Sequence, residues 1–351
     1  MDDSLDDLRH IKVLDESGML QVLKRFPEDC RSAIKRANKV SLENLSGKRF
    51  NKVVFAGVGG SSIGGKLVID WLRRECAVPL VLSRGYHLPA IVDDETLVFT
   101  VSYSGNTEET LSMLAEALSA GAPTITVTSG GKMGEIAIDN GLPLISLPDG
   151  FRPRAAISHQ FFSLATVMHE MDLVGTSWGE VPEALTTLEA IRDEVSMDLP
   201  TSENLAKKVA LSLLGKIPLV YGSSLLEGVA YRLGTQLNEN SKVPSGSGSF
   251  PEAFHNAVLG SEWRSEVLGN LALLLLRDNG DDEGMKRKIE RFKERFTPKV
   301  GDIIELEARG SGRLARILSL VYIGDYVSTY LGLLYGHDPS SNFSIDKLKQ
   351  V

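Results

Sequence analysis

Four groups of residues in this 351-residue chain have types and spacings that could do chemistry. The first is Gly57-Val58-Gly59-Gly60-Ser61-Ser62-Ile63-Gly64-Gly65-Lys66, which follows the apolar run 52–56. Glycine lets main chain approach a ligand, and a helix beginning here offers unpaired N–H groups to an anion. A dinucleotide fingerprint would need glycine where Ser62 stands. A Walker-type phosphate loop would need a hydroxyl where Leu67 follows Lys66. Two readings stay ahead of nucleotide binding: a backbone cradle for a phosphate or sugar oxygen, or a tight packing turn. The second group is Ser102-Tyr103-Ser104-Gly105-Asn106-Thr107-Glu108-Glu109-Thr110, after the run 97–101. Ser102, Ser104 and Thr107 place three hydroxyls at a strand end and a helix start, and Gly105 allows the turn. Hydroxyl and backbone donors converging on the positive end of a helix suit a phosphate monoester without any lysine. Capping of the helix by Asn106 with Glu109 would explain one side chain but not three hydroxyls.

The other two groups could move protons. Gln236-Leu237-Asn238-Glu239-Asn240-Ser241-Lys242 closes a helical pattern, and Pro251-Glu252-Ala253-Phe254-His255-Asn256 follows a Ser/Gly-rich stretch, 245–249, read as a flexible loop. Shifting a proton between adjacent carbons needs one carboxylate over both, and histidine suits a proton shuttle. Taken alone, Glu239 also reads as a solvated helix-end carboxylate and His255 as an ordinary loop histidine. The six histidines have no paired metal-binding spacing, and Cys30 and Cys76 are too few for a disulfide framework or a cysteine-based zinc site. Neither metal nor cofactor is expected.

The elements that must carry these groups alternate. Short apolar runs at 52–56, 79–82, 97–101, 124–128 and 144–147 lack a two-residue alternation, as expected of strands covered on both faces. Helical patterns separate them, one marked by Leu111, Leu114, Ala115 and Leu118. The expected fold is α/β, a doubly wound parallel sheet flanked by helices. A second set follows, with strands at 218–221, 271–276 and 302–306 and a helix at 225–237. Val53-Val54-Phe55-Ala56-Gly57 before Ser61-Ser62 and Leu219-Val220-Tyr221-Gly222 before Ser223-Ser224 form a weak internal repeat. The expected organisation is a helical segment at 1–45, a first α/β domain at 46–175, a connecting helical segment at 176–203, and a second domain at 204–351 with a C-terminal helix. Residues 314–336 approach membrane length but contain Arg316 and Asp325, so they read as a helix buried in the core or at a subunit interface.

Net charge −8 and a pI near 5.4 argue against a general binder of nucleic acid or anionic membrane, which needs a basic surface. The 33 glycines exceed the usual share, implying either flexible linker or backbone that approaches something closely. The acidic start has no apolar core of a signal peptide, and the cysteine usage fits a reducing cytoplasm.

Ser-x-Ser-Gly-Asn-Thr-x-Glu-Thr after a strand resembles the sugar-isomerase (SIS) phosphosugar-binding module, a five-stranded parallel sheet flanked by helices. Two such domains, the Gly-Gly-Ser turn, Phe151-Arg152-Pro153-Arg154-Ala155, Asn-Glu-Asn-Ser-Lys, Pro-Glu-x-x-His-Asn and a closing Asp338-Pro339…Leu348-Lys349 occur in order. That series is similar to the bifunctional phosphoglucose/phosphomannose isomerase family over nearly the full length. The resemblance implies a metal-independent aldose–ketose isomerase that converts glucose 6-phosphate, mannose 6-phosphate or both to fructose 6-phosphate through a cis-enediol. It gives Glu239 the isomerising base, His255 the ring-opening histidine lent by the partner in a homodimer, Lys349 an assisting role, and Arg154 support of the enediolate. Sugar and phosphate contacts fall on Gly59, Gly60, Ser61, Ser102, Ser104 and Thr107, and residues 340–342 could shape the space for both epimers. Lys347 competes with Lys349, and Arg152 with Arg154. Where the family reads Asn-His-Asn-Glu, this chain has Phe254 before His255 and Ala257 after Asn256. The alternatives are another SIS enzyme acting on an aminosugar phosphate and a non-catalytic sugar-phosphate sensor.

Overall fold

The structure, a computed structural model, describes residues 3–348. The chain leads with three helices, α1 (Leu8–Leu14), α2 (Met19–Lys24) and α3 (Phe26–Ala37). It then divides between α2 and α3: residues 26–179 form one compact unit, and 3–25 with 180–348 form the other. The leading helices, read from sequence as one segment, therefore serve two cores. Phe26, Cys30, Ala33 and Ala37 line one buried face of α3, whereas Met19, Leu20 and Leu23 of α2 are buried in the other unit.

The 26–179 unit is built on five strands rich in β-branched and aromatic residues. They are β1 (Lys52–Ala56), β2 (Leu80–Ser83), β3 (Thr96–Val101), β4 (Thr124–Thr128) and β5 (Leu144–Ser146). All pair in parallel, in the order β2-β1-β3-β4-β5. The helices α4 (Gly60–Leu72), α5 (Glu108–Ser119), α6 (Gly131–Asp139) and α7 (Ile157–Glu170) complete it. The order switches between β1 and β3, which are adjacent, with Ala56 opposite Thr100. The loops leaving these two strands are therefore neighbours, and in open parallel sheets ligands bind at such a switch point.

The other unit holds α8 (Val181–Val195), α9 (Leu205–Leu213), β6 (Ile217–Gly222), α10 (Glu227–Ser241), β7 (Gly246–Ser249), α11 (Ser265–Leu268), β8 (Leu271–Arg277), α12 (Glu283–Phe296), β9 (Asp302–Glu307), α13 (Arg313–Leu334) and α14 (Phe343–Leu348). Its four strands are parallel in the order β7-β6-β8-β9. The stretch expected to be a flexible loop is β7. Its glycines serve contact, not mobility: a Cβ on Gly248 would lie 2.6 Å from the Tyr221 ring. The strand then delivers Phe250, 1% exposed, into an aromatic cluster with Tyr221, Phe254 and Phe292.

The helix α13 is long and apolar enough to span a membrane, yet 94% of its most apolar window is buried in protein. It packs against α8, α9 and α10. The helix of the expected connecting segment, α8, is thus part of the second unit's core. Its Val181, Ala184, Leu188, Ile191 and Val195 are buried. Lys207 on α9 is fully buried and donates to the carbonyls of Leu5 (2.7 Å), Met197 (3.1 Å) and Leu199 (2.6 Å) and to Asp6 Oδ1 (3.2 Å). Burial lowers its pKa even though Asp6 opposes that shift. These bonds tie the first residues to the unit, because a buried ammonium must be fully paired.

Candidate active site

The hydroxyl loop leaves β3 and enters α5. Ser102 is 1% exposed, Ser104 is exposed and Thr107 lies between. The Ser102 and Thr107 hydroxyls share a hydrogen bond of 2.9 Å, and Ser102 Oγ accepts from Gly105 N at 3.1 Å. Ser104 Oγ accepts from Asn106 N at 3.3 Å. Thr107 is the N-cap residue of α5 in extended conformation, but its side chain does not cap the helix. The alternative, a cap of α5 by Asn106, does not form either. Asn106 Oδ1 accepts from Lys132 N at 3.0 Å, at the start of α6. The three hydroxyls thus sit at the positive end of α5, whose N-cap side chain makes no capping bond to its first N–H groups. The loop is braced: Tyr103 donates its hydroxyl to Pro148 O (2.8 Å) and accepts from Phe151 N (2.8 Å), and Ser129 Oγ donates to Tyr103 O (2.7 Å). Burial raises the Tyr103 pKa.

The glycine turn after β1 is mainly a packing device. A Cβ on Gly60 would stand 2.9 Å from Arg154 N, and on Gly65 2.6 Å from Phe55. Gly59, at φ +57° with open space around it, starts α4. Ser61 Oγ accepts from Tyr103 N at 3.1 Å, so Ser61 links the glycine turn to the hydroxyl loop. Arg154 lies in the short 3-10 turn Pro153–Ala156 and is 1% exposed, whereas Arg152 is exposed. Gly59, Gly60, Ser61, Ser102, Ser104, Thr107 and Arg154 therefore belong to one unit and are joined by direct contacts through Gly60 and Ser61.

Glu239 and His255 belong to the other unit. Glu239 is partly exposed in the last turn of α10, which ends where Lys242 turns left-handed at φ +59°. Lys242 Nζ donates to the carbonyls of Glu239 and Ser341, the latter at 2.8 Å. The turn at 338–341 is thereby tied to the helix end that bears Glu239. Ser17 Oγ holds the same turn through Asp338 Oδ2 at 2.6 Å. His255 is exposed and follows the 3-10 turn Glu252–Phe254, its N–H donating to Glu252 O at 3.0 Å. Phe254, the departure from the family pattern, stacks on Phe250 with centroids 4.7 Å apart, so it anchors the histidine's backbone in the core.

Glu239 and His255 are not brought together within the chain. Asn238 Oδ1 accepts from Ser245 N (3.0 Å), and Ser245 Oγ donates to Pro218 O (2.9 Å), so Glu239 lies at the edge where β6 and β7 begin. His255 follows the other end of β7, where Phe250 N donates to Gly222 O at 2.8 Å. Four residues of strand separate the two edges by about 13 Å. Lys347 lies on α14 with Nζ 4.3 Å from the Phe343 ring centroid. Lys349 lies outside the described residues.

Residues 202–351 match the family model described as bacterial phospho-glucose isomerase C-terminal SIS domain. A bifunctional phosphoglucose/phosphomannose isomerase of Caldicellulosiruptor bescii is 36% identical over 332 residues, 94% of this chain and 98% of that one. A D-glucosamine-6-phosphate 4-epimerase of Sulfolobus acidocaldarius is 35% identical over 68% of this chain and 72% of its own. In fold, the chain matches the crystal structure of a hypothetical protein from Thermus thermophilus with TM-score 0.75, at 17% identity, over 99% of this chain and 95% of the other. The match to the C. bescii enzyme spans both units, and with it this chain belongs to the bifunctional phosphoglucose/phosphomannose isomerase family.

Proposed function

We propose that this isomerase interconverts glucose 6-phosphate, mannose 6-phosphate or both with fructose 6-phosphate. The observation that supports the reading is the hydroxyl loop: three hydroxyls gather at the uncapped start of α5, which suits a phosphate monoester in a chain of net charge −8. Ser102 is bonded to Thr107 inside the loop, so Ser104, Thr107 and the helix N–H groups take the phosphate while Ser102 and Ser61 hold their shape. Gly59 and Gly60 contribute backbone beside them. Glu239 removes the C2 proton of the open-chain aldose and returns it at C1, and the intermediate is a cis-enediol. Arg154 stabilises the negative oxygen that develops. His255 opens the ring with help from Lys349, and no metal takes part.

A coupled assay tests this on both hexose phosphates with chelator present. Turnover of at least one of glucose 6-phosphate and mannose 6-phosphate that survives chelator is expected. Turnover of neither substrate would overturn the reading, and loss on chelation would overturn its metal independence. The epimerase relative supports a second reading, an aminosugar phosphate as substrate. Faster conversion of glucosamine 6-phosphate than of either hexose phosphate would favour it.

We further place the protein in the cytoplasm, where its two free cysteines stay reduced, as a homodimer in which His255 serves the partner's Glu239. The separation of His255 from Glu239 across the β6–β7 sheet supports this. So does the segment after His255, where Leu259, Trp263 and Val267 are 61%, 62% and 50% exposed. Large apolar side chains exposed within one short segment suit a protein interface. Trp263→Glu is expected to yield a monomer by light scattering, with turnover reduced about tenfold or more, the low end of what a general acid–base group supplies. A monomer with parental turnover would refute the lending of His255.

A further inference from the structure

One face of α10 is a buried polar ladder inside an otherwise apolar packing layer. Arg232, Gln236 and Asn240 recur every four residues and are 1%, 3% and 1% exposed. They meet polar groups on α13. Arg232 Nε and Nη2 donate to the two oxygens of Asp325 at 3.1 and 2.7 Å, and Gln236 Nε2 donates to Asp325 Oδ1 at 3.3 Å. Asn240 Nδ2 donates to Ser328 Oγ at 3.0 Å, and Ser241 Oγ to Ser328 O at 2.7 Å. Ser328 Oγ in turn donates to Asp325 O at 3.0 Å. A Cβ on Gly332 would lie 2.4 Å from Asn240 O, so the two backbones approach closely at the end that bears Glu239.

Stability alone does not call for this ladder. A buried ion pair commonly contributes no more than an apolar pair of equal volume. What it adds is direction. Apolar faces tolerate small rotation and sliding, whereas a bidentate guanidinium–carboxylate fork has one geometry. Glu239 is seven residues after Arg232, so its direction around the helix axis falls within about 20° of Arg232's, and it stands roughly 10 Å along the axis. Any twist or slip of α10 therefore moves Glu239 directly. We propose that Arg232, Gln236, Asp325 and Ser328 are positioning residues that fix the rotation and register of α10 and so aim the Glu239 carboxylate. The inference rests on Glu239 being the isomerising base.

The test replaces the pair by apolar residues, Arg232→Met with Asp325→Leu, and compares it with Glu239→Gln in one assay. The double variant is expected to melt at or above the parent temperature, keep KM within about twofold and lose at least about tenfold in kcat. With C2-deuterated glucose 6-phosphate its isotope effect on kcat should exceed the parent's, because a misaimed base makes proton removal slower than the other steps. Parental kcat and isotope effect in the double variant, while Glu239→Gln has lost activity, would overturn the positioning role. Near-parental activity of Glu239→Gln would instead remove the base assignment itself. If the double variant does not fold, Arg232→Lys decides, since it keeps the charge and loses the fork. A reduced kcat with a raised isotope effect is expected. A lower melting temperature with unchanged kcat would mark a purely structural pair and overturn the proposal.

Discussion

Glu239→Gln is expected to lose at least ~10²-fold in kcat with KM nearly unchanged. The amide matches the carboxylate in size, and Lys242 bonds the Glu239 carbonyl rather than its side chain, so α10 and its contacts should stand. Its side chain cannot take up a proton at neutral pH, so the step between C2 and C1 fails. The residues proposed to grip the phosphate belong to the 26–179 unit, which is why binding should survive. Two measurements locate the fault. Exchange of the C2 proton into deuterated water, followed by NMR, should fall with kcat. Interconversion of the sugar's anomers should persist, because ring opening is assigned to His255. A variant that isomerises near the parental rate would take the base role away from Glu239, and loss of both activities together would point to a collapsed helix end.

The two groups of candidate residues differ in how far the sequence reveals them. The hydroxyl loop is local: Ser102, Ser104, Gly105 and Thr107 lie within six residues, and the strand before and the helix after can be read from the apolar pattern. The strands 52–56 and 124–128 have the expected bounds, and the others differ by one or two residues. Non-local facts are hidden. Nothing in Gly246-Ser247-Gly248-Ser249 signals a strand, because its fitness depends on the Tyr221 ring lying against Gly248. Asp325 is legible as a charge that lipid would reject, but its partner Arg232 lies 93 positions away. The division after Arg25 follows from which core each short helix meets, and their own amphipathic patterns look alike. The glycine turn combines packing and approach: Gly60 and Gly65 are small for their neighbours, and Gly59 for its backbone angle.

Gly105→Ala tests the phosphate grip through its backbone, and Gly121→Ala is its control. Both residues have the left-handed φ that glycine tolerates best, +68° and +66°, so alanine at either site carries a strain of about 1–2 kcal/mol. Their surroundings differ. A Cβ at Gly121 meets nothing within 4 Å, whereas at Gly105 it would fall 1.8 Å from Gly130 O and 2.8 Å from Thr128 Oγ1. The hydroxyl loop would have to part from the loop after β4 by more than an ångström. That movement breaks the bonds from Met133 N to Gly105 O (2.9 Å) and from Lys132 N to Asn106 Oδ1 (3.0 Å) and shifts Ser102 and Thr107 from their shared bond. Gly121→Ala should therefore lower stability by the strain alone and leave KM unchanged. Gly105→Ala should lower it by more than about 4 kcal/mol, in the range reserved for steric conflict in a packed core, and what remains folded should bind hexose 6-phosphate far more weakly. Urea titration of each variant, with calorimetric titration of glucose 6-phosphate at a temperature where both are folded, separates the two effects. Parental affinity in a folded Gly105→Ala would mean that the phosphate is held elsewhere, because no arrangement of these hydroxyls survives a Cβ at that position unmoved.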